Sequence, residues 1–450
     1  MNTAKLLAKC LMEKLPFMMA FQEKTILMRS NKIVKLFIQT YQIITSSIAF
    51  YPSVTAFLIV VLGILTLNFD DSNITTFLKE NASFLVINNT ETARSILTTL
   101  IGGGISLIVF SFSMVMVTLN QASSNFSPRL LPGLISEKKN QIILGFYLGT
   151  VIFNILVLIS ILPSGDSYTL NIFSILIGII LGISSLSLFI YFIHNISSSI
   201  QISNILKKIF LQTKDCLNQC IEKEEYNLPE IKYQNWNTLK SERGGYFQGT
   251  ISTVLENICD TNKVKVFINA YKGQFVPINE DLVRYDQDLS DEVKSNILNA
   301  ILFNTQNNIE NDYVQGINQI TEVGVKAMSP GINDPATALV TIDYLSYLFQ
   351  LRMQFGDRDI LLIDENEVVL EFRTLVFKEL LEKCFTLYRQ YCKNDIILMK
   401  KLLDVLNYLL KQEAYNDHYL EVIRHQIDKL KEDAQLNIKN KLDLKSLISK

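Results

Sequence analysis

Residues 95–128 read SILTTLIGGGISLIVFSFSMVMVTLNQASSNFSP and contain no Asp, Glu, Lys or Arg. An α-helix needs about 20 apolar residues to cross a hydrocarbon core about 30 Å thick, and this stretch is longer than that. Three further uncharged stretches, residues 36–69, 140–165 and 167–206, are also long enough. These four stretches predict a polytopic membrane protein with four transmembrane helices.

The charge distribution separates a membrane half from a water-soluble half. Hydrophobic residues make up 48% of the chain and charged residues 19%, and nearly all of the charge lies before Leu36 or after Leu206. We therefore predict an α-helical membrane domain followed by a cytosolic α+β domain, which has a small β-rich module and a helical C-terminal part. The predicted spans are residues 45–68, 96–119, 142–162 and 170–193.

Composition and local patterns divide the chain into six predicted segments. In chain order these are a basic amphipathic cytosolic leader (1–42), the membrane domain (43–194), a cytosolic helical extension (195–243), the β-rich module (244–288), a helical hairpin (289–356) and a C-terminal helical region (357–450). The extension is expected to continue the fourth transmembrane helix.

Periodicity predicts individual elements of the soluble half. Residues 263–269, KVKVFIN, alternate with a period of two, which is typical of a strand. Residues 291–309 and 312–327 are predicted to be helices, and residues 357–372 a hairpin around Asp364.

Small residues in the third and fourth spans predict a tightly packed bundle. Gly145 and Gly149 are four residues apart, and so are Gly178 and Gly182. Small residues at this spacing allow helix backbones to approach closely in a membrane.

Basic residues predict the orientation of the spans. They are concentrated before the first span and after the fourth, and the connection around Asp166 has none. Because Lys and Arg are retained on the cytoplasmic side, both termini are predicted to be cytoplasmic.

The second span carries a polar stripe, formed by Thr99, Ser106, Ser113 and Asn120 at intervals of seven residues. In one interpretation the stripe is a packing seam, either of the four-helix bundle or of a subunit interface. In the other, copies of this helix surround a symmetry axis and the stripe lines a water-filled path for small ions. No span has a carboxylate or Lys at mid-membrane depth, which argues against a proton- or cation-coupled transporter.

The most distinctive string of the soluble half is SPGINDPAT, residues 329–337. Pro330 and Gly331 are expected to end one helix, Asn333 or Asp334 to cap the next, and Pro335 to occupy its first position. The string is interpreted either as a capped corner or as a contact site for a partner or an ion. Its candidate residues are Ser329, Pro330, Gly331, Asn333, Asp334, Pro335 and Thr337.

Motifs for enzymatic chemistry are missing from the sequence. It has no phosphate-binding or dinucleotide-binding glycine pattern, no His-Glu-x-x-His and no Gly-x-Ser-x-Gly. A net charge of −2 gives no basis for nucleic-acid binding. We predict no enzyme, no cofactor and no metal site.

The string SPGINDPATA, residues 329–338, closely resembles the hallmark of a family of bacterial predicted membrane proteins, the domain of unknown function numbered 2254. Residues 125–131 (NFSPRLL) and 140–149 (NQIILGFYLG) resemble its signature between the second and third spans. Residues 193–203 (IHNISSSIQIS) resemble its exit from the fourth span. Residues 306–316 depart from the family pattern, because they are richer in Asn and poorer in charge.

The resemblance implies a four-span membrane domain and a cytosolic domain in the bacterial cytoplasmic (inner) membrane, without an established activity. It also marks a characteristic loop between the second and third spans, with the residues Ser127, Pro128, Arg129, Asn140 and Gln141.

Two functional hypotheses follow. The first is a homo-oligomer in the lipid bilayer whose second helices surround a polar permeation path regulated by the cytosolic domains. The second is a membrane-anchored scaffold or sensor that contacts an unknown cytosolic partner through residues 329–337.

Overall fold

The computed structural model divides the chain into two compact units. Among the residues that the structure describes, those up to 114 and those from 138 to 194 form the membrane unit, and those from 115 to 125 and from 195 onward form the C-terminal unit. The predicted leader, residues 1–42, lies outside the described residues. The structure describes residues 47, 49–68, 87, 89–125, 138–161, 163–164, 167–168, 171–199, 201–222, 233, 235–304, 312–364 and 367–448.

Within those ranges, four helices are long and apolar enough to cross a membrane, as predicted. The second helix, Thr90–Asn125, extends beyond the predicted span of residues 96–119 at both ends. Two short antiparallel strands, β1 (Pro163–Ser164) and β2 (Ser167–Tyr168), connect the last two helices. The helices are α1 (Phe50–Asn68), α2 (Thr90–Asn125), α3 (Lys138–Ser160) and α4 (Ile172–Ser199).

Helix α3 packs closely on its neighbours because glycines remove side chains from the contacts. A Cβ atom added at Gly145 would lie 2.6 Å from the carbonyl oxygen of Pro52 on α1. A Cβ at Gly104 of α2 would lie 2.6 Å from the side chain of Val151 on α3. These separations are shorter than ordinary contacts. At Gly145 the backbones of α1 and α3 approach closely, and at Gly104 the missing side chain makes room for that of Val151.

The C-terminal unit contains two sheets. A five-stranded sheet has the order β3-β7-β5-β10-β9, and a three-stranded sheet has the order β6-β4-β8. Pairing is antiparallel except between β10 and β5, which are parallel. The strands are β3 (Asn237–Lys240), β4 (Gly245–Thr250), β5 (Val266–Ile268), β6 (Phe275–Val276), β7 (Asp281–Tyr285), β8 (Ile301–Asn304), β9 (Asp359–Asp364) and β10 (Glu367–Phe372).

Nine described helices complete this unit, and most share one large apolar core. The core draws side chains from α5, α8 and all the helices that follow α8, including Ile209, Ile320 and Leu406. The helices are α5 (Ile202–Glu222), α6 (Ser252–Asn262), α7 (Asp291–Ala300), α8 (Tyr313–Ala327), α9 (Pro335–Arg352), α10 (Phe377–Cys392), α11 (Ile396–Leu409), α12 (Asp417–Asn437) and α13 (Lys441–Ile448).

Three local predictions need correction. The helix predicted over 291–309 ends at Ala300, because residues 301–304 pair with β4 instead. Helix α6 lies among the strands of the predicted β-rich module. The extension does not continue α4 without a break, since α4 ends at Ser199 and α5 begins at Ile202.

The hairpin predicted over 357–372 is confirmed by the antiparallel pairing of β9 with β10.

We expect Gly324→Ala to destabilise the C-terminal unit, because Gly324 lies directly against side chains of the neighbouring helices α9 and α10. A Cβ at Gly324 would lie 2.0 Å from the hydroxyl of Tyr388 and 2.2 Å from that of Thr341. Overpacking of this kind costs roughly 1–3 kcal/mol. Denaturation of the purified full-length protein in detergent, followed by circular dichroism, measures the loss.

Gly331→Ala is the matched control, since a Cβ at Gly331 would meet nothing within 4 Å. Its effect should be within about 0.5 kcal/mol, as for other surface substitutions. Equal losses in the two variants would contradict the packing argument.

Candidate functional site

The predicted polar stripe lies on one face of α2, and that face is exposed. Thr99, Ser106, Ser113 and Asn120 are all exposed in the described chain. Gly102 and Gly103, on the same side of the helix, also adjoin open space, because a Cβ at either would meet nothing within 4 Å.

A second face of α2 makes the contacts with the rest of the bundle. Ala93, Leu97 and Ser111 are completely buried, and Gly104 touches α3. Gly104 lies five residues after Thr99, and Ser111 lies five residues after Ser106. Five helical residues correspond to a rotation of about 140°, so these residues lie on a different face from the stripe. The stripe is therefore not the seam that packs α2 within its own bundle.

The hydroxyl groups of the stripe are oriented by the helix itself. Thr99, Ser106 and Ser113 each donate a hydrogen bond to the carbonyl four residues earlier, at 2.8, 2.9 and 2.9 Å. Because a carbonyl can only accept, each hydroxyl hydrogen points at the backbone. The lone pairs of the oxygens remain available to a ligand on the exposed side.

The SPGINDPAT string forms the corner between α8 and α9, and part of it is structural. Asp334 caps α9, with one carboxylate oxygen accepting from the backbone N–H of Thr337 at 3.1 Å and the other from its hydroxyl at 2.6 Å. Pro335 occupies the first turn of α9. The carbonyl of Ser329 accepts the N–H groups of Ile332 and Asn333, both at 3.0 Å. Asp334 thus supplies the negative charge at this helix N-terminus.

The rest of the string faces outward. Pro330, Gly331, Asn333 and Pro335 are exposed, and so is Ile332 with 39% of its surface accessible. Asn333 adopts a left-handed backbone conformation with a φ of 48°, which Asn tolerates better than most residues. The corner thus combines an internal cap with an exposed tip.

The residues of the loop suggested by the family resemblance do not form one described site. Asn140 and Gln141 are buried in the first turn of α3. Ser127, Pro128 and Arg129 lie outside the described residues.

Sequence reasoning missed Arg352, whose guanidinium is fully buried in the C-terminal unit. It forms an ion pair with Asp357 and donates to the carbonyl of Phe355 at 3.1 Å. The rings that surround it belong to Tyr313, Phe355, Phe377 and Tyr419, with centroids 4.5–6.0 Å away. Cation–π attraction and the ion pair together compensate for the lost hydration of the charge. The arrangement joins α8, α9, α10 and α12.

A second missed cluster lies at the end of β10. Glu371 is nearly buried and receives a hydrogen bond from Tyr233 and two from Arg358, at 2.9 and 3.1 Å. Burial, and then the hydrogen bond to Glu371, raise the pKa of Tyr233. Both residues line an open cavity of about 250 Å³ with Phe267, Arg373 and others. Because the buried charge of Glu371 is paired with Arg358, we regard the cluster as structural.

Cysteine chemistry is disfavoured in the described chain. Burial raises the pKa of Cys384 and Cys220 to about 11, and that of Cys259 and Cys392 to about 12. A thiol with such a pKa is protonated at neutral pH and is a poor nucleophile. Among the described residues, no three His, Cys, Asp or Glu side chains are placed to hold a metal.

We expect Asp334→Ala to lower the free energy of unfolding by roughly 0.5–2 kcal/mol, because the cap of α9 is lost. Asn333→Gly should be nearly neutral, since Gly adopts a positive φ without strain. Chemical denaturation of both variants measures the difference. A neutral Asp334→Ala would contradict the role of this carboxylate as a cap.

The curated proteins that the chain matches are uncharacterised. An uncharacterised protein of Mycobacterium bovis is 22% identical over 267 residues, which are 56% of this chain and 51% of that protein. Uncharacterised proteins of two Mycobacterium tuberculosis strains match with the same identity and coverage. The chain spans about half the length of these curated relatives. No solved structure matches.

The family comparison covers most of the chain. Residues 45–408 match the model described as a predicted membrane protein, the domain of unknown function 2254. This range includes all four described membrane helices, both sheets and the corner between α8 and α9. The protein is therefore a membrane protein and belongs to the family of domain of unknown function 2254.

Proposed function

We propose that the protein is an oligomeric permeation protein of the bacterial inner membrane, in which α2 helices from several copies surround a polar path. Both termini lie in the cytoplasm, and the C-terminal unit regulates the path. The proposed function includes no enzymatic reaction. The observation that carries the proposal is the polar stripe of α2, whose four residues are exposed, whereas Ala93, Leu97 and Ser111 on another face are buried.

The residue spacing along this face supports association of like helices. Exposed or partly exposed positions recur at alternating intervals of four and three residues, which is the pattern of a left-handed helix–helix seam. Small residues at several of these positions would let neighbouring helices approach closely. The positions are Thr99, Gly103, Ser106, Phe110, Ser113, Val117 and Asn120.

The chemistry of the stripe favours cations as the permeant species. The hydroxyl hydrogens of Thr99, Ser106 and Ser113 are bound to backbone carbonyls, so the oxygens face outward as acceptors. Acceptor oxygens replace the hydration shell of a cation, whereas an anion requires donors. The stripe has no carboxylate that would bind a small cation tightly.

We expect Ser113→Leu to lower cation flux into sealed liposomes that contain the purified protein and a potassium gradient. Leucine replaces an acceptor oxygen with a bulky apolar group on the lining face. An increase of about 1.4 kcal/mol in the permeation barrier lowers the rate about tenfold, and we expect at least that.

Ser187→Leu is the matched control for this substitution. Ser187 is an exposed serine of α4 whose hydroxyl also donates to the carbonyl four residues earlier, at 3.4 Å. Its replacement should leave the flux unchanged. A folded, inserted wild-type protein that carries no cations, or Ser113→Leu with wild-type flux, would contradict the proposal.

Cross-linking tests the assembly separately from permeation. Ser106→Cys should form covalent dimers on mild oxidation in the membrane, because equivalent positions face each other around the axis. Ser187→Cys should not, and the wild type with its six native cysteines provides the background. Equal yields from the two variants would count against α2 as the contact between copies.

A scaffold or sensor is the second candidate, supported by the exposed tip of the corner. Ile332 and Asn333 face outward although the fold does not need their side chains there. This candidate predicts no flux, and loss of a bound partner in Asn333→Gly. Changing Asn333 rather than Asp334 keeps the cap of α9 and therefore separates recognition from stability.

A further inference from the structure

The face of α3 opposite the α1 contact is lined by buried polar side chains. Tyr147, Thr150 and Asn154 have 1%, 3% and 0% of their surface exposed. Their spacing of three and four residues places them on one side of the helix. This side extends for about 10 Å along α3, since each helical residue rises about 1.5 Å.

None of these side chains has a hydrogen-bond partner among the described residues. The unpaired atoms are the hydroxyl oxygens of Tyr147 and Thr150 and both the amide nitrogen and the oxygen of Asn154. Each atom is buried, so surrounding lipid or bulk water cannot reach it from outside the bundle. A group of unpaired polar atoms inside a membrane protein is unusual, because each costs several kcal/mol in an apolar environment.

The neighbouring helices α4 and α2 also carry buried hydroxyl oxygens without partners among the described residues. The hydroxyls of Ser174 on α4 and Ser111 on α2 are completely buried and lack partners in the described chain. A Cβ at Gly178 of α4 would lie 2.3 Å from the amide oxygen of Asn154, so Asn154 lies directly against that helix. Ser174 is one turn from Gly178 on α4, and Ser111 lies two turns beyond Gly104 on α2.

The chemistry of these groups identifies the ligand they require. The amide of Asn154 has an unpaired donor and an unpaired acceptor. A cation would satisfy only the acceptor, and an anion only the donor. Water can satisfy both, and buried water typically makes about three hydrogen bonds to otherwise unpaired groups. The hydroxyls of Tyr147, Thr150, Ser174 and Ser111 can likewise donate to and accept from water.

We propose that each copy of the protein holds a file of bound water molecules inside its membrane unit, along Tyr147, Thr150 and Asn154 of α3. Ser174 and Ser111 bind this water from the neighbouring helices. The file is separate from the proposed path, because Ser111 lies on the packed face of α2 and the stripe on its exposed face. Helix α2 therefore has one face toward internal water and another toward the outside of its bundle.

Radiolytic footprinting of the full-length protein tests this proposal. A short X-ray pulse converts water into hydroxyl radicals, which oxidise aromatic rings next to bound water, and mass spectrometry locates the product. Tyr388 is the matched dry control, since it is 1% exposed like Tyr147 but donates to Thr341 at 2.8 Å. Tyr408, which is 42% exposed, is the wet control. We expect the oxidation rate of Tyr147 to be closer to that of Tyr408 than to that of Tyr388.

Two variants link the signal to the proposed file. Asn154→Leu removes the amide, and Thr150→Val replaces a hydroxyl by a methyl group of similar size. Both should lower the oxidation rate of Tyr147 and leave the rates of Tyr388 and Tyr408 unchanged. Thr150→Val serves on its own if Asn154→Leu does not fold.

Three results would overturn the proposal. Tyr147 could be as protected as Tyr388, which would mean a dry interior. Its oxidation could persist unchanged in both variants, which would mean that the whole bundle opens. Oxidation could instead fall as sodium, potassium or chloride is added, which would assign the site to an ion. Each result is independent of liposome flux, so failure here does not affect the proposed permeation path.

Discussion

The absence of hydrogen-bond partners in hydrocarbon is the constraint on which the membrane unit depends. It requires every backbone group of the spans to be satisfied within a helix. It also accounts for the exposed hydroxyls of α2, because Thr99, Ser106 and Ser113 each donate to their own backbone instead of remaining unpaired. Glycines such as Gly104 and Gly145 then bring the satisfied helices into direct contact.

The same constraint distinguishes the two polar surfaces of the membrane unit. On the outer face of α2, the hydroxyls of Thr99, Ser106 and Ser113 each donate to a backbone carbonyl. They therefore need no further partner, whether lipid, water or another copy of the protein covers this face. On the inner face of α3, the buried polar atoms of Thr150 and Asn154 have no hydrogen-bond partner in the described chain. The proposed permeation path rests on the outer face, and the proposed bound water on the inner face.

The C-terminal unit contains a buried charge, the guanidinium of Arg352, which also needs partners inside the protein. Arg352 is removed from water completely, and its cost is offset by Asp357 and by four aromatic rings. The corner between α8 and α9 divides its sequence in a comparable way. Asp334 and Thr337 form hydrogen bonds with each other, whereas Ile332 and Asn333 are exposed.

The sequence by itself determined what depends on neighbouring residues: the four spans, a cap of α9 at Asn333 or Asp334, and the hairpin over 357–372. Hydrophobic length, capping chemistry and strand periodicity act locally, so they can be recognised in one short window. Only the tertiary structure decided what depends on distant residues. Residues 301–304 are a strand because β4 pairs with them. Arg352 is stabilised by aromatic rings that are distant in sequence, such as those of Tyr313 and Tyr419. The stripe of α2 is exposed because α3 packs on the other face. The seven-residue spacing places the stripe residues on one face but does not predict whether that face is buried or exposed.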